Sequence, residues 1–181
     1  MRLSLTLLVM AILGGCATPV VTPRAYLDEE TAATITVVAE PWIFTGEESS
    51  FTAKDRDSLS LFAIDVNRMG DHRQYLAVLV SDMPRTSTSG AVTLELLGSG
   101  KSVSLQPATE EPRGLGIAKP LAPSYSLTSR WLYFPVTKEI LATVMRSTDL
   151  RAELTAGDKR VAYSMWRNGS AEIAELTSVL P

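Results

Sequence analysis

The sequences SLSLFAIDV (Ser58–Val66) and QYLAVLV (Gln74–Val80) decide the fold. Apolar side chains occupy both alternating faces of each segment, whereas a strand with one solvated face alternates apolar and polar residues. Both segments are therefore predicted to be central strands that are covered on both sides. Between them, Asn67-Arg68-Met69-Gly70 is typical of a hairpin loop with Gly70 in a left-handed conformation.

Two more hairpins are predicted towards the C-terminus. Val92, Leu94 and Leu96 alternate with polar residues before the turn Gly98-Ser99-Gly100-Lys101, and Val103 and Leu105 continue the alternation after it. A similar pattern runs through Leu150, Ala152 and Leu154, the turn Gly157-Asp158, and then Val161, Tyr163 and Met165. Alternation of this kind is typical of half-buried strands.

The segments around these hairpins are predicted to include two further strands and two loops. Thr31–Val38 is rich in β-branched residues and is predicted to be the first strand. Pro41–Gly46 is predicted to be a loop whose large apolar residues plug one end of the core. Pro107–Ser124 is predicted to be a long structureless excursion, a class of loop that is often functional or mobile. Tyr125–Val136 is predicted to be an aromatic core strand.

Two helices are predicted near the C-terminus. Thr137 can cap a short helix whose apolar residues share one face, and Ser170 can cap a terminal helix, although a last strand fits there nearly as well. Many short strands with turns at this spacing indicate a mainly β fold. We therefore expect an antiparallel β-sandwich or half-open barrel with one or two short helices near the C-terminus.

The N-terminus is typical of an exported protein. Arg2 precedes the apolar run Leu3–Leu13, which at about eleven residues has the length of a signal-peptide core and is too short to span a bilayer. The run ends in Leu13-Gly14-Gly15-Cys16, which resembles the lipobox of bacterial lipoprotein precursors. An ordinary secretory signal with a chance cysteine is the alternative interpretation.

This resemblance implies that Leu13, Gly14 and Gly15 are the recognition positions and that Cys16 is the lipidated residue. In that family a peptidase cuts before the cysteine, and the acyl chains hold the protein at the membrane. Cys16 is the only cysteine in the chain, so the lipid gives it a chemical use. Since Ala17 replaces the aspartate of inner-membrane lipoproteins, the resemblance implies the outer membrane, at its periplasmic face.

Three regions are predicted along the chain. Residues 1–15 form the cleaved signal peptide, residues 16–25 the lipidated cysteine and a short extended tether, and residues 26–181 a single β-rich domain. The net charge is −3 and no basic cluster is present, which excludes a nucleic-acid partner. The membrane, reached through the lipid on Cys16, and a protein of the cell envelope are the expected partners.

Catalytic motifs are weak in this sequence. Gly100-Lys101-Ser102 lacks the first glycine of a phosphate-binding loop, and the Asp65–Gly70 segment lacks the later ligands of a calcium loop.

His72, the only histidine, could join a triad with Asp65, Asp71 or Asp82, but it is predicted to be a surface residue. Asp55-Arg56-Asp57 and Glu110-Glu111 could act as paired carboxylates, although solvated loops are expected. No catalytic residue, metal or cofactor is predicted.

The sequence therefore favours a non-catalytic envelope lipoprotein that docks onto a partner protein. A lipoprotein that binds a small ligand or glycan, with Trp42 or Trp131 as a stacking platform, is the first alternative, and a carboxylate-based hydrolase is the second. The predicted contact residues are Trp42, Phe44, Arg113 and Trp131.

Overall fold

The computed structural model describes residues 22–46, 57–81, 91–123, 128–147 and 149–180. Within them the chain forms ten strands and two helices, and the fold is mainly antiparallel β, as the sequence predicts. The elements in chain order are β1 (Arg24–Asp28), β2 (Ala33–Val37), β3 (Trp42–Gly46), β4 (Ser58–Arg68), β5 (Asp71–Val80), β6 (Val92–Gly98), β7 (Lys101–Leu105), β8 (Arg130–Val136), α1 (Lys138–Met145), β9 (Arg151–Ala156), β10 (Lys159–Arg167) and α2 (Ser170–Val179).

The central ribbon is the long hairpin of β4 and β5, which the two-sided apolar pattern predicts. Its register runs without interruption from Leu59 opposite Val80 to Arg68 opposite Asp71. The two turn residues between the strands have φ values of 54° and 93°, and a two-residue hairpin turn with both φ angles positive matches the right-handed twist of its strands. The Gly70 N–H donates to the side-chain oxygen of Asn67 at 2.8 Å.

All strand pairs of the described sheet are antiparallel. One edge of β4 pairs first with β3 and then with β2, while its other edge pairs with β5, which in turn pairs with β8. On the other side the order continues from β3 through β10, β9 and β6 to β7. The backbone N–H of Ala108, just after β7, donates to the carbonyl of Tyr133 in β8 at 2.7 Å. The β7 and β8 ends of the described sheet therefore lie next to each other, which corresponds to the half-open barrel among the two predicted forms, while β1 is a further edge strand.

The inner face of this curled sheet holds the main core. Alternate positions of the strands point inward, and the side chains there are buried. The inward residues are Trp42, Phe44, Leu59, Leu61, Leu76, Val78, Leu94, Leu96, Phe134, Leu154 and Tyr163. The hydrophobic effect of this burial is the principal source of stability for a chain of this size.

The two predicted helices are present and pack against each other. The side chain of Thr137 accepts a hydrogen bond from the Ile140 N–H at 3.3 Å, which confirms the predicted cap of α1. The cap predicted for α2 is wrong, because Ser170 is already the first helical residue. Instead, the side-chain oxygen of Asn168 accepts from the Ser170 N–H at 2.9 Å.

The outer face of β4 is covered in part by residues 107–123. Backbone hydrogen bonds fold this segment into a compact turn, in which the Ile117 N–H donates to the Pro112 carbonyl at 2.8 Å. A Cβ atom on Gly116 would lie 2.8 Å from Cγ1 of Val66, so the backbone here lies directly against β4. Residues 107–123 contain no helix or strand, as predicted, but the segment is folded against β4, and the last residue of the predicted loop lies outside the described residues.

Two strands were not predicted. Residues 42–46 are the strand β3, paired on both sides, rather than a loop. The strand β1 begins at Arg24, inside the segment assigned to the tether, and the turn between β1 and β2 includes Thr31 and Ala32, which were assigned to the first strand. Pro41 and Gly46 beside β3, and Pro23 before β1, are typical of loops, but pairing with neighbouring strands makes both segments strands.

Candidate functional site

The residues of the predicted lipidation signal, Leu13, Gly14, Gly15 and Cys16, lie outside the described residues. Within the described ranges, no helix is both long enough and apolar enough to cross a membrane. Membrane attachment through Cys16 therefore stays a prediction from the sequence.

Two of the predicted contact residues, Trp42 and Phe44, lie in the core. Both side chains are fully buried on the inner face of β3. The indole N–H of Trp42 donates to Oδ1 of Asn168 at 3.2 Å and to Oγ of Ser170 at 3.1 Å, which ties β3 to the start of α2. In this structure the Trp42 ring is not accessible to a ligand, and its hydrogen bonds serve the packing of the helix.

The other two predicted contact residues lie in different parts of the molecule. Trp131 is half-buried on the outer face of β8, with its ring centroid 5.5 Å from that of Phe62. Its buried indole nitrogen has no hydrogen-bond partner among the described residues. Arg113 is exposed and forms an ion pair with Glu30 at 3.3 Å. The structure therefore does not bring the four predicted residues together into one site.

His72 forms a small polar cluster with Asp65 and Gln74. Its Nδ1 atom lies 2.8 Å from Oδ2 of buried Asp65, and the Gln74 side chain donates to Oδ1 of the same carboxylate at 2.9 Å. Because β4 and β5 are joined by a two-residue turn, the hairpin register alone places these three side chains on one face. No described serine, threonine or cysteine side chain hydrogen-bonds to His72, so the cluster lacks the nucleophile of a triad.

The described residues contain no group of three or more His, Cys, Asp or Glu side chains that could hold a metal ion. Of the predicted carboxylate pairs, Glu110 and Glu111 are both exposed in the segment that follows β7. Asp55 lies outside the described residues. These carboxylates therefore offer no described pair on opposite sides of a pocket, as glycoside hydrolysis requires.

Asp28 is a buried carboxylate that the sequence reasoning missed. Its oxygens accept hydrogen bonds from the N–H groups of Glu30, Thr31 and Ala118 at 3.1, 3.2 and 2.8 Å. Burial alone would raise the pKa of Asp28, but the hydrogen bonds from Ala118, Thr31 and Glu30 outweigh it and lower the pKa. Asp28 therefore ties the turn after β1 to the segment that covers β4, which is a structural role.

A cavity of about 540 Å³ opens on the outer face, where β3, β4 and β5 lie side by side. Its apolar wall includes Ile43, Phe62 and Leu79, and Trp166 and Arg167 of β10 lie at its side. We call this cavity the Trp166 groove. Its size lies within the range of small-molecule sites, about 300–1,000 Å³.

Trp166 is the one tryptophan among the exposed residues of β10, a strand in which only Tyr163 is buried. It retains 68% of its accessible surface, against 2% for the nearby Tyr163. The pairing of β10 with β3 shifts between Met165 and Arg167, and such a bulge changes the direction of the side chains near it. The simple alternation through Val161, Tyr163 and Met165 already places Trp166 outside, so this signal was available in the sequence.

Among the strands that the structure describes, β1 lies at an edge of the sheet. Among the described residues its strand partner is β2 alone. Its side chains from Arg24 to Leu27 are exposed, and two of them are large and apolar, with Tyr26 37% exposed and Leu27 61% exposed. Native proteins usually protect such edges with charged residues, proline, a bulge or a covering segment. In β1 the charged Arg24 lies at the start of the strand, and the exposed Tyr26 and Leu27 follow it.

Comparisons of the chain with protein-family models, with curated proteins and with solved structures returned no match.

Proposed function

We propose that this protein is a lipid-anchored lipoprotein of the cell envelope that acts as a non-catalytic docking module for a partner protein. The observation that carries the proposal is the open edge of β1 with its exposed Tyr26 and Leu27. The lipidation signal at Cys16 supports the location.

The chemistry of an open edge selects a particular kind of partner. A strand paired on one side presents unpaired backbone N–H and C=O groups on its other side, and another extended chain satisfies them best. Because successive side chains of a strand point to opposite faces, Tyr26 and Leu27 would each contact a different face of an added strand. The proposed partner therefore contributes an extended segment with apolar residues at successive positions.

The position of β1 near the proposed lipid restricts where this partner can be. Arg24 follows Cys16 by eight residues, and eight residues extend at most about 29 Å in any conformation. If Cys16 carries the lipid, the start of β1 stays within that distance of the membrane surface. The partner therefore lies at the same membrane and does not need to extend far from it.

A photo-reactive amino acid at position 27 tests the docking edge in intact cells. We expect a discrete cross-linked product from position 27 and none from position 179. Val179 is the matched control, since it is an apolar residue of similar exposure, 67%, at the end of α2. The same products from both positions, or none from position 27, would contradict the proposal.

Leu27→Lys then tests strand addition itself, because a charge on an edge strand opposes pairing. We expect at least a tenfold loss of the partner captured with the lipidated protein, and no loss for Val179→Lys. Hydrogen exchange of the β1 amides should slow when the partner is bound. Unchanged exchange in β1 in the complex would argue against strand addition even if a partner is captured.

Cys16→Ser tests the lipid anchor. We expect this variant to keep its fold, measured by circular dichroism, and to appear in the soluble fraction after cell lysis. A variant that stays tightly bound to the membrane in the absence of the partner would overturn the assignment of Cys16.

A further inference from the structure

We propose that the Trp166 groove binds an uncharged saccharide, with one sugar ring stacked on the exposed indole and its hydroxyl groups hydrogen-bonded inside the groove. The groove is lined by residues of β3, β4, β5 and β10 and by residues outside the strands, and by no residue of β1. The residues outside the strands are Ala39, Pro41, Ser81 and Ala122. This inference therefore goes beyond the docking edge and does not depend on it.

The first argument is the state of Trp166. The side chain of Trp166 is 68% exposed, so much of its apolar ring surface contacts water. A ligand that covers this surface gains free energy from the hydrophobic effect. An indole combines a flat apolar face with a polar edge, which suits a ligand that is itself amphipathic. The C–H face of a sugar ring is such a surface.

The second argument is the firm apolar wall of the groove. Phe62 retains 9% of its surface and packs against Trp131, whose ring centroid lies 5.5 Å away. Trp131 in turn stacks on Tyr133 at 6.3 Å. This row of rings holds Phe62 in place, so the groove exists before a ligand binds and little ordering cost is paid on binding.

The third argument is a group of unused hydroxyls. Thr45, Ser58 and Ser60 line the groove, and Thr45 lies directly opposite Ser58 in the β3–β4 pair. None of these three hydroxyl groups forms a hydrogen bond with another described residue. Hydroxyls can both donate and accept, which is the capacity that sugar hydroxyls require.

Charge and backbone pairing argue against two other ligand classes. Nη2 of Arg167 lies 2.6 Å from Oε2 of Glu40 beside Trp166, so the two opposite charges offset each other and no net charge at this point favours an ionic ligand. An extended peptide would need open backbone groups in the wall of the groove. However, β3 pairs with β4 and β10, and β4 pairs with β5, so these strands have no open edge along the groove.

Isothermal titration of the mature lipidated protein, in a detergent without a sugar headgroup, tests the proposal. The probes are the disaccharide of N-acetylglucosamine, which represents cell-wall glycan, and maltose, which represents a free oligosaccharide. We expect saturable binding of at least one probe, and the tighter one identifies the source. No saturable binding of either at millimolar concentration would overturn the proposal.

Variants of the groove locate the binding. Trp166→Ala should weaken the binding about tenfold or more, whereas Trp166→Phe should retain part of it, because a ring remains. Ser60→Ala should weaken binding about threefold to tenfold, the value of one hydrogen bond. Ser104→Ala, an exposed serine on β7, is the matched control and should change nothing.

Binding that is unchanged in both Trp166→Ala and Ser60→Ala would place the sugar elsewhere and contradict the inference. Leu27→Lys should bind the sugar as the native protein does. This outcome distinguishes the groove from the docking edge, because either proposal can then fail while the other stands.

Discussion

The two faces of the β4–β5 ribbon are both apolar, yet they are covered in different ways. The inner face is closed by the facing strands and the helices, and its large residues, such as Trp42 and Phe44, are fully buried. Among the described residues, the segment 107–123 covers part of the outer face, with Gly116 against Val66. The Trp166 groove lies at the margin of this cover, where Ala122 contributes to its lining.

This difference separates the packed face of the ribbon from the face with the proposed binding groove. A face enclosed by regular elements has no room for a ligand, since interiors are packed as closely as organic crystals. A face covered by an irregular segment keeps a gap, and the gap contains the exposed indole and the unused hydroxyls. Aromatic residues on the inner face should therefore affect stability, and those at the outer groove should affect binding.

The largest expected effect is that of Trp42→Ala. The change removes a fully buried ring and leaves its polar partners Asn168 and Ser170 without the indole N–H, so the free energy of unfolding should fall by about 3–5 kcal/mol. Urea unfolding measures it. Trp166→Ala is the matched control and should change stability by less than about 0.5 kcal/mol, because that ring is exposed. Equal losses of unfolding free energy in Trp42→Ala and Trp166→Ala would contradict the difference in burial between the inner and the outer face.

Gly116→Ala should have the second largest effect, because it disturbs the cover of the outer face. Gly116 has a φ of 96°, and its new Cβ would lie 2.8 Å from Cγ1 of Val66, so we expect a loss of about 2–4 kcal/mol. Gly70→Ala is the matched control, since its φ of 93° is similar but no atom lies within 4 Å. Thermal unfolding should show a smaller loss there, and a loss as large as that of Gly116→Ala would refute the close contact with β4.

The smallest effect is the pH dependence contributed by Asp28. Since the pKa of Asp28 is lowered in the folded state, its carboxylate stabilises the fold above the unfolded-state pKa of about 3.9. That contribution is lost as the pH falls through the folded-state pKa. Asp28→Asn should cost about 1–3 kcal/mol at neutral pH, and its difference from the native protein should shrink in acid. Asp158→Asn, at an exposed turn, should stay close to the native protein throughout, and a constant deficit for Asp28→Asn would contradict this account.

The sequence patterns predicted those strands and helices whose formation depends on residues close to one another in the chain. The β4–β5 hairpin follows from two apolar faces and from Met69-Gly70 in the turn, and α1 follows from the cap at Thr137. In contrast, β3 has three large apolar residues in succession between Pro41 and Gly46, and no local rule separates a short buried strand from a loop there. Pairing with β4 and β10 decides that it is a strand.

The candidate sites were less predictable than the fold. Trp42 and Trp131 are the stacking platforms that the sequence predicts, but exposure depends on which face of the sheet is covered, and a sequence pattern does not state that. Trp166 is predictable as an exposed ring, since it lies out of phase with the buried Tyr163 of β10. The groove could not, because it joins β3, β4, β5 and β10, which are far apart in the chain.

The sequence by itself determined the antiparallel β class and the central ribbon, and it contains the predicted lipidation signal on which the proposed location depends. These properties reside in side-chain alternation, turn residues and a short motif, and each is set by neighbours within a few residues. Only the tertiary structure decided the curled sheet, the open edge of β1 and the opening beside Trp166. Each of these depends on which distant segments cover a strand, and that is settled by the packing of the whole chain.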